Sequence, residues 1–487
     1  MISKKENIKH NKFYLTTPIF YVNAKPHMGH AYAAVLADII ARYQRLSLKE
    51  TYFLTGTDEH GAKIARAAEA AAKEPRVFVD EMAEEFQGLF SVLNISHDQF
   101  IRTSDRERHW PGAVKLWQKM MEKGDLSKRL YRGLYCVGCE AFITEKDLME
   151  GKCVYHAKEP EVVEEENYFF HLSKYAKEIE RAIEGDEMRI LPTTRKNEIL
   201  AFIKEGLEDV SFSRPSKDIS WGVPVPDDPS QTMYVWCDAL SNYLSALGYG
   251  SDDESLFQKL WPADLHVLGK DILRFHAAIW PGMLMSAGLS LPKTLMVHGL
   301  ILSGGRKMSK SIGNVVDPLK IIEEYGVDAF RYYLSREINP FEDGDFTEER
   351  FNEAYNANLA NGLGNLVSRI MKMSQNYLDA PHPLGCGASR LSPWTEYQKL
   401  MNGFEVNKAA DLVWQKIGDL DRKIQETEPY KLVKTDQEKA KMIIAELVDE
   451  LFGIAIRLEP FMPETARKIK ASIQANKMPA PLFVRKI

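Results

Sequence analysis

The junction between a short apolar segment and a long amphipathic one, near the start of the chain, restricts the fold more than any other feature. Residues 12–21 are rich in Phe, Tyr, Thr and Ile, a composition typical of a buried strand. Between residues 31 and 46, apolar side chains recur at the spacing of a helix: Val35, Ile39, Tyr43 and Leu46. A helix N-terminus presents backbone N–H groups without intrahelical acceptors, so the loop between the two segments predicts a cradle for an anion such as a nucleotide phosphate.

This loop carries two histidines, His27 and His30, on either side of Gly29. Their imidazoles would add two donors for phosphate oxygens beside the helix N-terminus. Gly29 has no side chain and would let a flat ring lie against the backbone. Two histidines at this spacing also fit a helix cap or a surface metal site, and the pair alone leaves these alternatives open.

A second candidate is the segment RKMSKS, which contains Lys307 and Lys310. Gly304 and Gly305 precede it and Gly313 follows it, a pattern typical of a flexible loop. Two lysines separated by two residues can hold a triphosphate, and a mobile loop lets them follow the charge that develops in a transition state. A short run of lysine and serine is also typical of a solvated loop, which remains the alternative for this segment by itself.

Together these two segments resemble the signature pair of the class I aminoacyl-tRNA synthetases, and the sequence around them resembles the methionyl-tRNA synthetase family. Five segments carry this resemblance in the same order: TTPIFYVNAKPHMGHAY, FLTGTDEHG, YVWCDAL, GKDILRFH and HGLILSGGRKMSKSIGNVVDP. It extends from about Phe13 to the end of the chain. The resemblance implies a ligase that activates L-methionine with ATP to methionyl-adenylate and transfers it to the 3′ end of tRNA(Met). The alternatives are a sibling synthetase for Cys, Leu, Ile or Val, and a non-catalytic tRNA-binding paralogue.

The implied fold class is an α/β Rossmann-like catalytic domain with a zinc-bearing connective insertion, followed by an all-α anticodon-binding bundle. Alternating strand and helix patterns in the first half agree with a parallel sheet, and only helix patterns follow Thr347. The acidic run 161–166 is interpreted as a solvated turn. Residues 317–336 are predicted to contain a helix that ends near Asn339 and Pro340, and residues 356–373, 404–426 and 437–458 have the spacing of helices. The predicted segments are the first half of the catalytic domain (1–127), the insertion with its zinc knuckle (128–228), the second half of the catalytic domain (229–292), the lysine loop with a stem-contact region (293–346) and the helical anticodon-binding domain (347–487).

Four residues of the insertion have the spacing of a zinc knuckle: Cys136, Cys139, Cys153 and His156. This CxxC…CxxH arrangement suits one tetrahedral Zn²⁺ bound by three thiolates and an imidazole. Four protein ligands leave no open position, so the site would be structural. Buried free cysteines are the alternative.

The resemblance also implies a methionine-binding pocket. In it, Asp58 would receive the ammonium group of methionine, although a carboxylate here also fits a helix cap. Trp236, Ala239 and Tyr243 would share one helical face, a pattern that ordinary core packing explains equally well. Aromatic walls suit a polarizable thioether, and His276 with the Tyr243 hydroxyl would lie near the sulfur. The full predicted set is Ile19, Tyr21, Asp58, Trp236, Ala239, Tyr243, Ile272, His276 and Trp280.

Two further sets follow from the resemblance. The ATP-binding set is His27, Gly29, His30, Gly269, Asp271, Lys307 and Lys310, of which the two histidines and two lysines would act in catalysis together with Mg²⁺. Asp271 would accept the ribose hydroxyls. The anticodon-reading set is Asn365, Arg369 and Tyr430, and the ring of Tyr430 would stack on a base.

Composition bounds the remaining questions. The formal net charge is −6, which carries no general nucleic-acid signature and leaves local basic clusters possible. No run of about 18 apolar residues occurs, so no membrane span is expected. The first twelve residues lack the apolar core of a signal peptide, which predicts a cytoplasmic protein. Because the sequence stops where the helical domain of the family closes, we expect a monomer without an obligate protein partner.

Overall fold

The computed structural model describes residues 11–136, 141–143, 145, 148–154, 158–308, 314–378 and 394–486. The chain divides into two compact units. The first contains Met1–Pro26, Glu50–Gly88 and His97–Val297, and the second contains His27–Lys49, Leu89–Ser96 and His298–Ile487. The five predicted segments stay a prediction about domain organisation.

A seven-stranded sheet organises the first unit. Its central strand, Lys12–Thr16, pairs in parallel with Glu50–Asp58 on one side and Leu265–Gly269 on the other. The strand order is Arg189–Leu191, Thr294–His298, Leu265–Gly269, Lys12–Thr16, Glu50–Asp58 and Phe20–Tyr21, with Gln99–Arg102 also paired to Glu50–Asp58. Parallel strands end at a common edge, and ligands of such sheets bind there. The predicted Rossmann-like parallel sheet is confirmed.

The predicted strand over residues 12–21 is two strands in the structure, Lys12–Thr16 and Phe20–Tyr21. Pro18 lies between them, and it has no backbone N–H to donate to a sheet ladder. The second piece pairs with the end of Glu50–Asp58, where Tyr21 lies opposite Asp58. The break therefore brings Tyr21 to the carboxyl edge of the sheet.

Antiparallel strands build the inserted region. Leu126–Cys136 pairs along its length with Glu161–Phe170, so the interpretation of residues 161–166 as a turn is wrong. The charged residues of this run fit an exposed strand face, where Arg132 lies opposite Glu164. Smaller strands complete the region: Ala141–Ile143, Leu148–Met149, Lys152–Cys153, Val210–Ser211, Ser213–Pro215, Pro224–Val225 and Asp228–Met233.

Helices pack around the sheet of the first unit and bury an aromatic core that includes Tyr14, Trp117 and Trp280. The α-helices are Ala62–Ala70, Pro75–Val92 (which continues past Gly88 into the second unit), Trp110–Glu122, Ala176–Glu184, Thr193–Lys204, Val235–Leu240, Asn242–Ser245, Ser255–Leu260 and Trp280–Ser286. Single 3₁₀ or π turns occur at Leu172–Tyr175, Lys270–Ile272 and Phe275–Ile279.

The second unit is mainly helical, which confirms the predicted helical domain. Its α-helices are Met28–Leu46, Pro318–Tyr325, Val327–Tyr332, Glu348–Ala354, Asn365–Tyr377, Thr395–Asn402, Val406–Thr427, Pro429–Leu432, Gln437–Leu458 and Pro463–Ala475. π-Helical turns span Tyr333–Glu337 and Tyr355–Gly364, and a small sheet joins Ile301–Ser303, Arg306–Lys307 and Gly344–Phe346. No helix in the described part of the chain has the length and apolar character needed to cross a membrane.

Two of the segments with helical patterns contain an interruption. Gly326 has a φ of 89°, a conformation that favours glycine, and it separates Pro318–Tyr325 from Val327–Tyr332. The predicted helix 356–373 is π-helical up to Gly364 and α-helical afterwards.

A buried ion pair fixes the helix Met28–Leu46 within the second unit. The side chains of Arg331 and Asp38 are both fully buried, and their closest N–O distance is 2.6 Å. The remaining guanidinium donors of Arg331 bond to the carbonyls of Leu93, Pro460 and Phe461. Burial alone would raise the pKa of Asp38, but the positive charges of Arg331 and Arg42 outweigh it and lower this pKa. The helix that begins after His27 is therefore held in the second unit by a buried ion pair whose polar groups are hydrogen-bonded.

Candidate functional site

His27 and His30 cap the helix Met28–Leu46 with their own rings. The Nδ1 of His27 accepts from the backbone N–H of Gly29 at 3.1 Å, and the Nδ1 of His30 accepts from the backbone N–H of His27 at 3.1 Å. The two rings stack with centroids 3.8 Å apart. The capping alternative considered from the sequence is therefore correct as a description of the Nδ1 atoms.

This capping arrangement determines what the rings can offer a ligand. Because both Nδ1 atoms accept hydrogen bonds, the neutral imidazoles carry their protons on Nε2. Burial, together with the neighbouring His27, lowers the pKa of His30 well below its ordinary value. His30 is thus neutral at physiological pH with its proton on Nε2, and the cap holds both rings beside the helix N-terminus, where an anion would be favoured.

Only part of the lysine segment lies within the described residues. The backbone of Arg306–Lys307 forms a strand paired with Ile301–Ser303 rather than a loop. Gly304 and Gly305 make the turn between these strands, with φ values of 61° and 73° that favour glycine. Lys310 lies outside the described residues.

Asp58 ends its strand in a buried position, directly opposite Tyr21. The following helix, Ala62–Ala70, has Gly61 as its N-cap and no side-chain cap, so the helix-cap alternative for Asp58 is not observed. The negative charge of Asp58 lies near enough to Tyr243 to raise its pKa, in addition to the larger effect of burial. The structure therefore brings Tyr21, Asp58 and Tyr243 into one region of the first unit.

Tyr243 and His276 form an oriented hydrogen bond. The Nδ1 of His276 lies 3.0 Å from the carbonyl oxygen of Ile272 and must donate to it. Burial lowers the pKa of His276 to about 4, so its ring is neutral and its Nε2 is an acceptor. The hydroxyl of Tyr243, 2.8 Å from this Nε2, is therefore the donor.

Aromatic rings surround this pair. Tyr243 lies 5.8 Å from Trp280 and 4.3 Å from His266 between ring centroids. His266 was not among the predicted site residues; its position three residues before Gly269, on the strand that precedes the GKD motif, was the available signal. The ring of Trp236 stacks on Phe275, another residue that the sequence did not single out.

The predicted helical face of Trp236, Ala239 and Tyr243 is interrupted. The helix Val235–Leu240 ends before Ser241, and Tyr243 lies on the separate turn Asn242–Ser245. The last carbonyl groups of this helix accept hydrogen bonds from side chains. Ser241 Oγ donates to Asp238 O and Asn242 Nδ2 donates to Ala239 O, both at 2.6 Å.

The other predicted residues of the first unit lie at the same sheet edge or in the same core. Ile19 and Ile272 are partly buried against the core that contains Tyr243 and Trp280, and Ala239 is buried. Gly269 ends the strand Leu265–Gly269, and the exposed Asp271 follows on a 3₁₀ turn. The described residues of the predicted ATP-binding set are thus divided: Gly269 and Asp271 belong to the first unit, and His27, Gly29, His30 and Lys307 belong to the second.

The predicted anticodon-reading residues lie on helices of the second unit. Asn365 and Arg369 are both exposed on Asn365–Tyr377. Arg369 forms an ion pair with Asp421, whose second carboxylate oxygen accepts from Gln425 at 2.7 Å. Asp421 was not singled out from the sequence.

Tyr430 is 43% exposed. It belongs to the short helix Pro429–Leu432, which begins after Glu428 ends the long helix in a left-handed conformation, with a φ of 39°.

Two of the four predicted zinc ligands lie within the described residues. Cys136 and Cys153 are buried in one small cluster with Ile143, at the ends of different strands. Neither forms a disulfide. Cys139 and His156 lie outside the described residues, and among the residues described no three potential ligands gather around one point. The cluster brings one thiol of each predicted pair together, which fits the soft ligand set of zinc.

Comparison with known proteins identifies the family of nearly the whole chain. Residues 13–155 and 143–371 match the family described as tRNA synthetases class I (M), and residues 389–485 match the anticodon-binding domain of methionyl-tRNA ligase. The methionine–tRNA ligase of Thermotoga maritima is 42% identical over 483 residues, which cover 96% of this chain and 76% of that relative. The methionine–tRNA ligase of Rickettsia bellii is 41% identical over 478 residues, covering 96% of this chain and 93% of that relative.

Comparison with a solved structure indicates the same family. The structure of Mycobacterium tuberculosis methionyl-tRNA synthetase in complex with methionyl-adenylate superposes with a TM-score of 0.89 at 37% identity, covering 98% of this chain and all of that one. The chain belongs to the methionyl-tRNA ligase family of class I tRNA synthetases.

Proposed function

We propose that this protein is a methionine–tRNA ligase, which forms methionyl-adenylate from L-methionine and ATP and transfers the methionyl group to the 3′ end of tRNA(Met). The observation that carries this proposal is the oriented Tyr243–His276 pair among aromatic rings, in the same unit as the buried carboxylate Asp58. An apolar, polarizable side chain suits the rings, and an ammonium group suits the carboxylate. Family membership supports the same activity.

The chemistry needs no covalent intermediate on the protein. The methionine carboxylate attacks the α-phosphorus of ATP and pyrophosphate leaves. A hydroxyl of the terminal adenosine of tRNA then attacks the acyl carbon, and AMP leaves. Catalysis consists of positioning the reactants and stabilising phosphate charge.

We assign the phosphate contacts to the Nε2–H groups of His27 and His30 and to Lys307 and Lys310. Magnesium bound with ATP would neutralise part of the phosphate charge. Gly29 and Gly269 would admit the adenosine, and Asp271 would accept its ribose hydroxyls.

We assign the methionine side chain to the region around Tyr243. The set comprises Ile19, Tyr21, Trp236, Ala239, Tyr243, Ile272, His276 and Trp280, with Asp58 for the ammonium group. Because the Tyr243 hydroxyl already donates to His276, the pair offers the thioether no strong donor. This environment favours a weak acceptor such as sulfur over a hydroxyl or amide.

A structural zinc ion in the insertion belongs to the same proposal, bound by Cys136, Cys139, Cys153 and His156. The shared burial of Cys136 and Cys153 supports it. We expect one zinc per chain in protein purified without chelator, measured by atomic emission. A metal-free preparation that is folded and active would contradict the assignment.

The remaining parts of the proposal concern tRNA and the cell. Asn365 and Arg369 would contact anticodon base edges, and Tyr430 would stack on a base. We propose a cytoplasmic protein that acts as a monomer, which light scattering of the purified chain would test.

Exchange of labelled pyrophosphate into ATP tests the activity directly. We expect exchange that depends on methionine and does not occur with cysteine, leucine, isoleucine or valine at the same concentration. Exchange with one of those amino acids would identify a sibling synthetase. Tight tRNA binding without exchange for any amino acid would identify a non-catalytic paralogue.

A further inference from the structure

Four buried polar side chains form a continuous hydrogen-bonded chain in the first unit. Asp238 lies 2.6 Å from the Nδ1 of His60 and 2.6 Å from the Nε2 of His109. The Nδ1 of His109 lies 2.9 Å from the hydroxyl of Ser245. All four residues are at most 3% exposed. None of the four residues belongs to the proposed methionine-binding, ATP-binding, zinc-binding or anticodon-reading sets.

The charge of Asp238 determines the direction of the two hydrogen bonds that it forms with the imidazoles. Burial alone would raise the pKa of Asp238, but attraction to His60 and hydrogen bonds from both imidazoles outweigh it and lower the pKa to about 2. The carboxylate is therefore an anion and accepts from both rings. The Ser245 hydroxyl lies between the Nδ1 of His109 and the carbonyl oxygen of Asn242, at 2.9 and 3.4 Å. Both imidazoles of the network therefore meet at the carboxylate of Asp238.

The position of this network along the chain relates it to methionine binding. His60 is two residues from Asp58, and Ser245 is two residues from Tyr243. Asp238 lies between Trp236 and Ala239, two residues from the first and one from the second. His109, the remaining member, precedes the helix Trp110–Glu122. Four proposed methionine contacts, on three separate segments, are thus within two residues of a network member.

The segment that carries His60 is held from its other side as well. Glu59 is buried and accepts from the guanidinium of Arg102 at 2.7 and 2.9 Å. The indole N–H of Trp221 donates to the carbonyl of Glu59 at 2.6 Å. The rings of Trp110 and Trp221 meet that of His60 edge to face. Asp58 and His60 therefore have little freedom to move independently of the network.

We propose that Asp238 is a positioning residue for methionine: through His60, His109 and Ser245 it holds the segments of Asp58, Trp236, Ala239 and Tyr243 in the geometry that binds the amino acid. This inference rests on the proposed function. It predicts that damage to the network acts on methionine affinity and leaves ATP affinity unchanged, since neither His27 nor Lys307 belongs to a segment that it holds.

Asp238→Asn is the informative variant. An amide has one acceptor oxygen and one donor nitrogen, so it satisfies one imidazole N–H and opposes the other. An unsatisfied buried donor has a large cost, and we expect the KM for methionine in pyrophosphate exchange to rise roughly 10-fold or more. The KM for ATP should change less than about twofold.

Asp125→Asn is the matched control. Asp125 is another fully buried carboxylate of the first unit, which accepts from Tyr175, from Ser286 at 2.7 Å and from Lys174 at 2.6 Å. None of these residues lies within two positions of a proposed methionine contact. Its substitution should lower thermal stability and leave the KM for methionine unchanged.

A second pair of variants guards against misfolding of the first. His109→Gln keeps an amide donor near the position of Nε2, and His109→Leu removes it. We expect methionine binding, measured by calorimetry on the folded protein, to be largely retained in His109→Gln and weakened in His109→Leu.

The outcomes separate this inference from the proposed function. An active wild-type enzyme whose Asp238→Asn variant keeps its methionine KM within about twofold would overturn the inference alone. The same holds if Asp125→Asn raises that KM equally, or if His109→Leu binds methionine as well as His109→Gln. A wild-type chain without methionine-dependent exchange would instead refute the proposed function.

Discussion

At the scale of single residues, His27 and His30 cap a helix with Nδ1, and we propose that they contact phosphate with Nε2. Each Nδ1 accepts a backbone N–H at the start of the helix, which places the proton of each neutral ring on Nε2. The cap and the phosphate contact, which are alternatives when only the sequence is considered, are compatible in the structure. Substitutions that preserve one nitrogen at a time separate them.

His30→Asn keeps an acceptor near the position of Nδ1 and removes the Nε2 donor. We expect the kcat of pyrophosphate exchange to fall by about 100-fold or more, since one lost contact to transition-state charge has that effect. Thermal stability should change little. His30→Gln provides the converse control: it places an amide donor near the position of Nε2, gives up the cap, and should lose about 1 kcal/mol of stability while keeping more activity. Full activity in His30→Asn together with a loss of activity in His30→Gln would mean that the ring acts only as a cap.

The sequence identifies these site residues better than it predicts their orientation. HxGH, RKMSKS and GKD are contiguous motifs, so their residues are identifiable from the printed chain. Tyr243 is a donor because the carbonyl of Ile272 fixes the tautomer of His276. Ile272 and His276 lie 29 and 33 positions after Tyr243, and no local sequence pattern relates residues at such separations. His266 lies against the ring of Tyr243, on a strand that pairs in parallel with the strand of Thr16. Strand pairing of this kind is part of the tertiary structure, and no local sequence pattern predicts it.

At the scale of elements, periodicity predicts long helices well and local breaks poorly. The helix Gln437–Leu458 has the predicted bounds, and Val406–Thr427 differs by two residues at its start and one at its end. The break at Gly326 follows from a residue type that the printed sequence shows. The π-helical stretch Tyr355–Gly364 has no comparable sequence signal, because the change from i→i+4 to i→i+5 bonding depends on packing. The acidic strand Glu161–Phe170 was missed because its outward face is charged and its partner is about 30 residues away.

One helix end leaves the ring of Tyr430 at the surface. Glu428 ends Val406–Thr427 in a left-handed conformation, Pro429 begins the next short helix, and Tyr430 is left exposed with its ring next to Lys431. Base–aromatic stacking contributes about 1–3 kcal/mol, so Tyr430→Ala should raise the KM for tRNA in aminoacylation by roughly 5- to 150-fold. Tyr430→Phe keeps the ring and serves as the control, with a KM near that of the wild type. Methionine activation without tRNA should be the same in all three proteins. Normal charging by Tyr430→Ala would show that other residues recognise the anticodon.

At the scale of the whole molecule, the sequence order does not predict the two compact units. The strand Lys12–Thr16 belongs to the first unit, while the helix Met28–Leu46, twelve residues further on, belongs with residues 298–487. The buried charge of Asp38 is satisfied by Arg331, almost 300 residues later. Neither helical periodicity nor a motif indicates such a pairing, since it depends on contacts between segments that are distant in sequence.

Buried ionisable groups also make the stability of the chain depend on pH. Burial lowers the pKa values of His30 and His266 well below their ordinary value and that of His276 to about 4. The unfolded chain therefore binds protons that the folded chain does not, and stability is lost as the pH falls below about 6.5. Asp238 also makes the protein less stable in acid. Its contribution to the free energy of unfolding is fully present above its unfolded pKa of about 4 and is lost as the pH falls through about 2.

His276 allows this dependence to be measured. With a folded pKa of about 4 against about 6.5 in the unfolded chain, it should reduce the free energy of unfolding by about 2 kcal/mol between pH 7 and pH 5. In His276→Asn this contribution is absent. The variant will be less stable at pH 7, because it loses the bond to Tyr243, but its stability should fall less between pH 7 and pH 5 than that of the wild type. Urea unfolding of both proteins at the two pH values gives the comparison. An equal decrease in both would show that His276 takes up its proton in the folded protein at an ordinary pKa, so that at pH 5 its Nε2–H would donate to the Tyr243 hydroxyl.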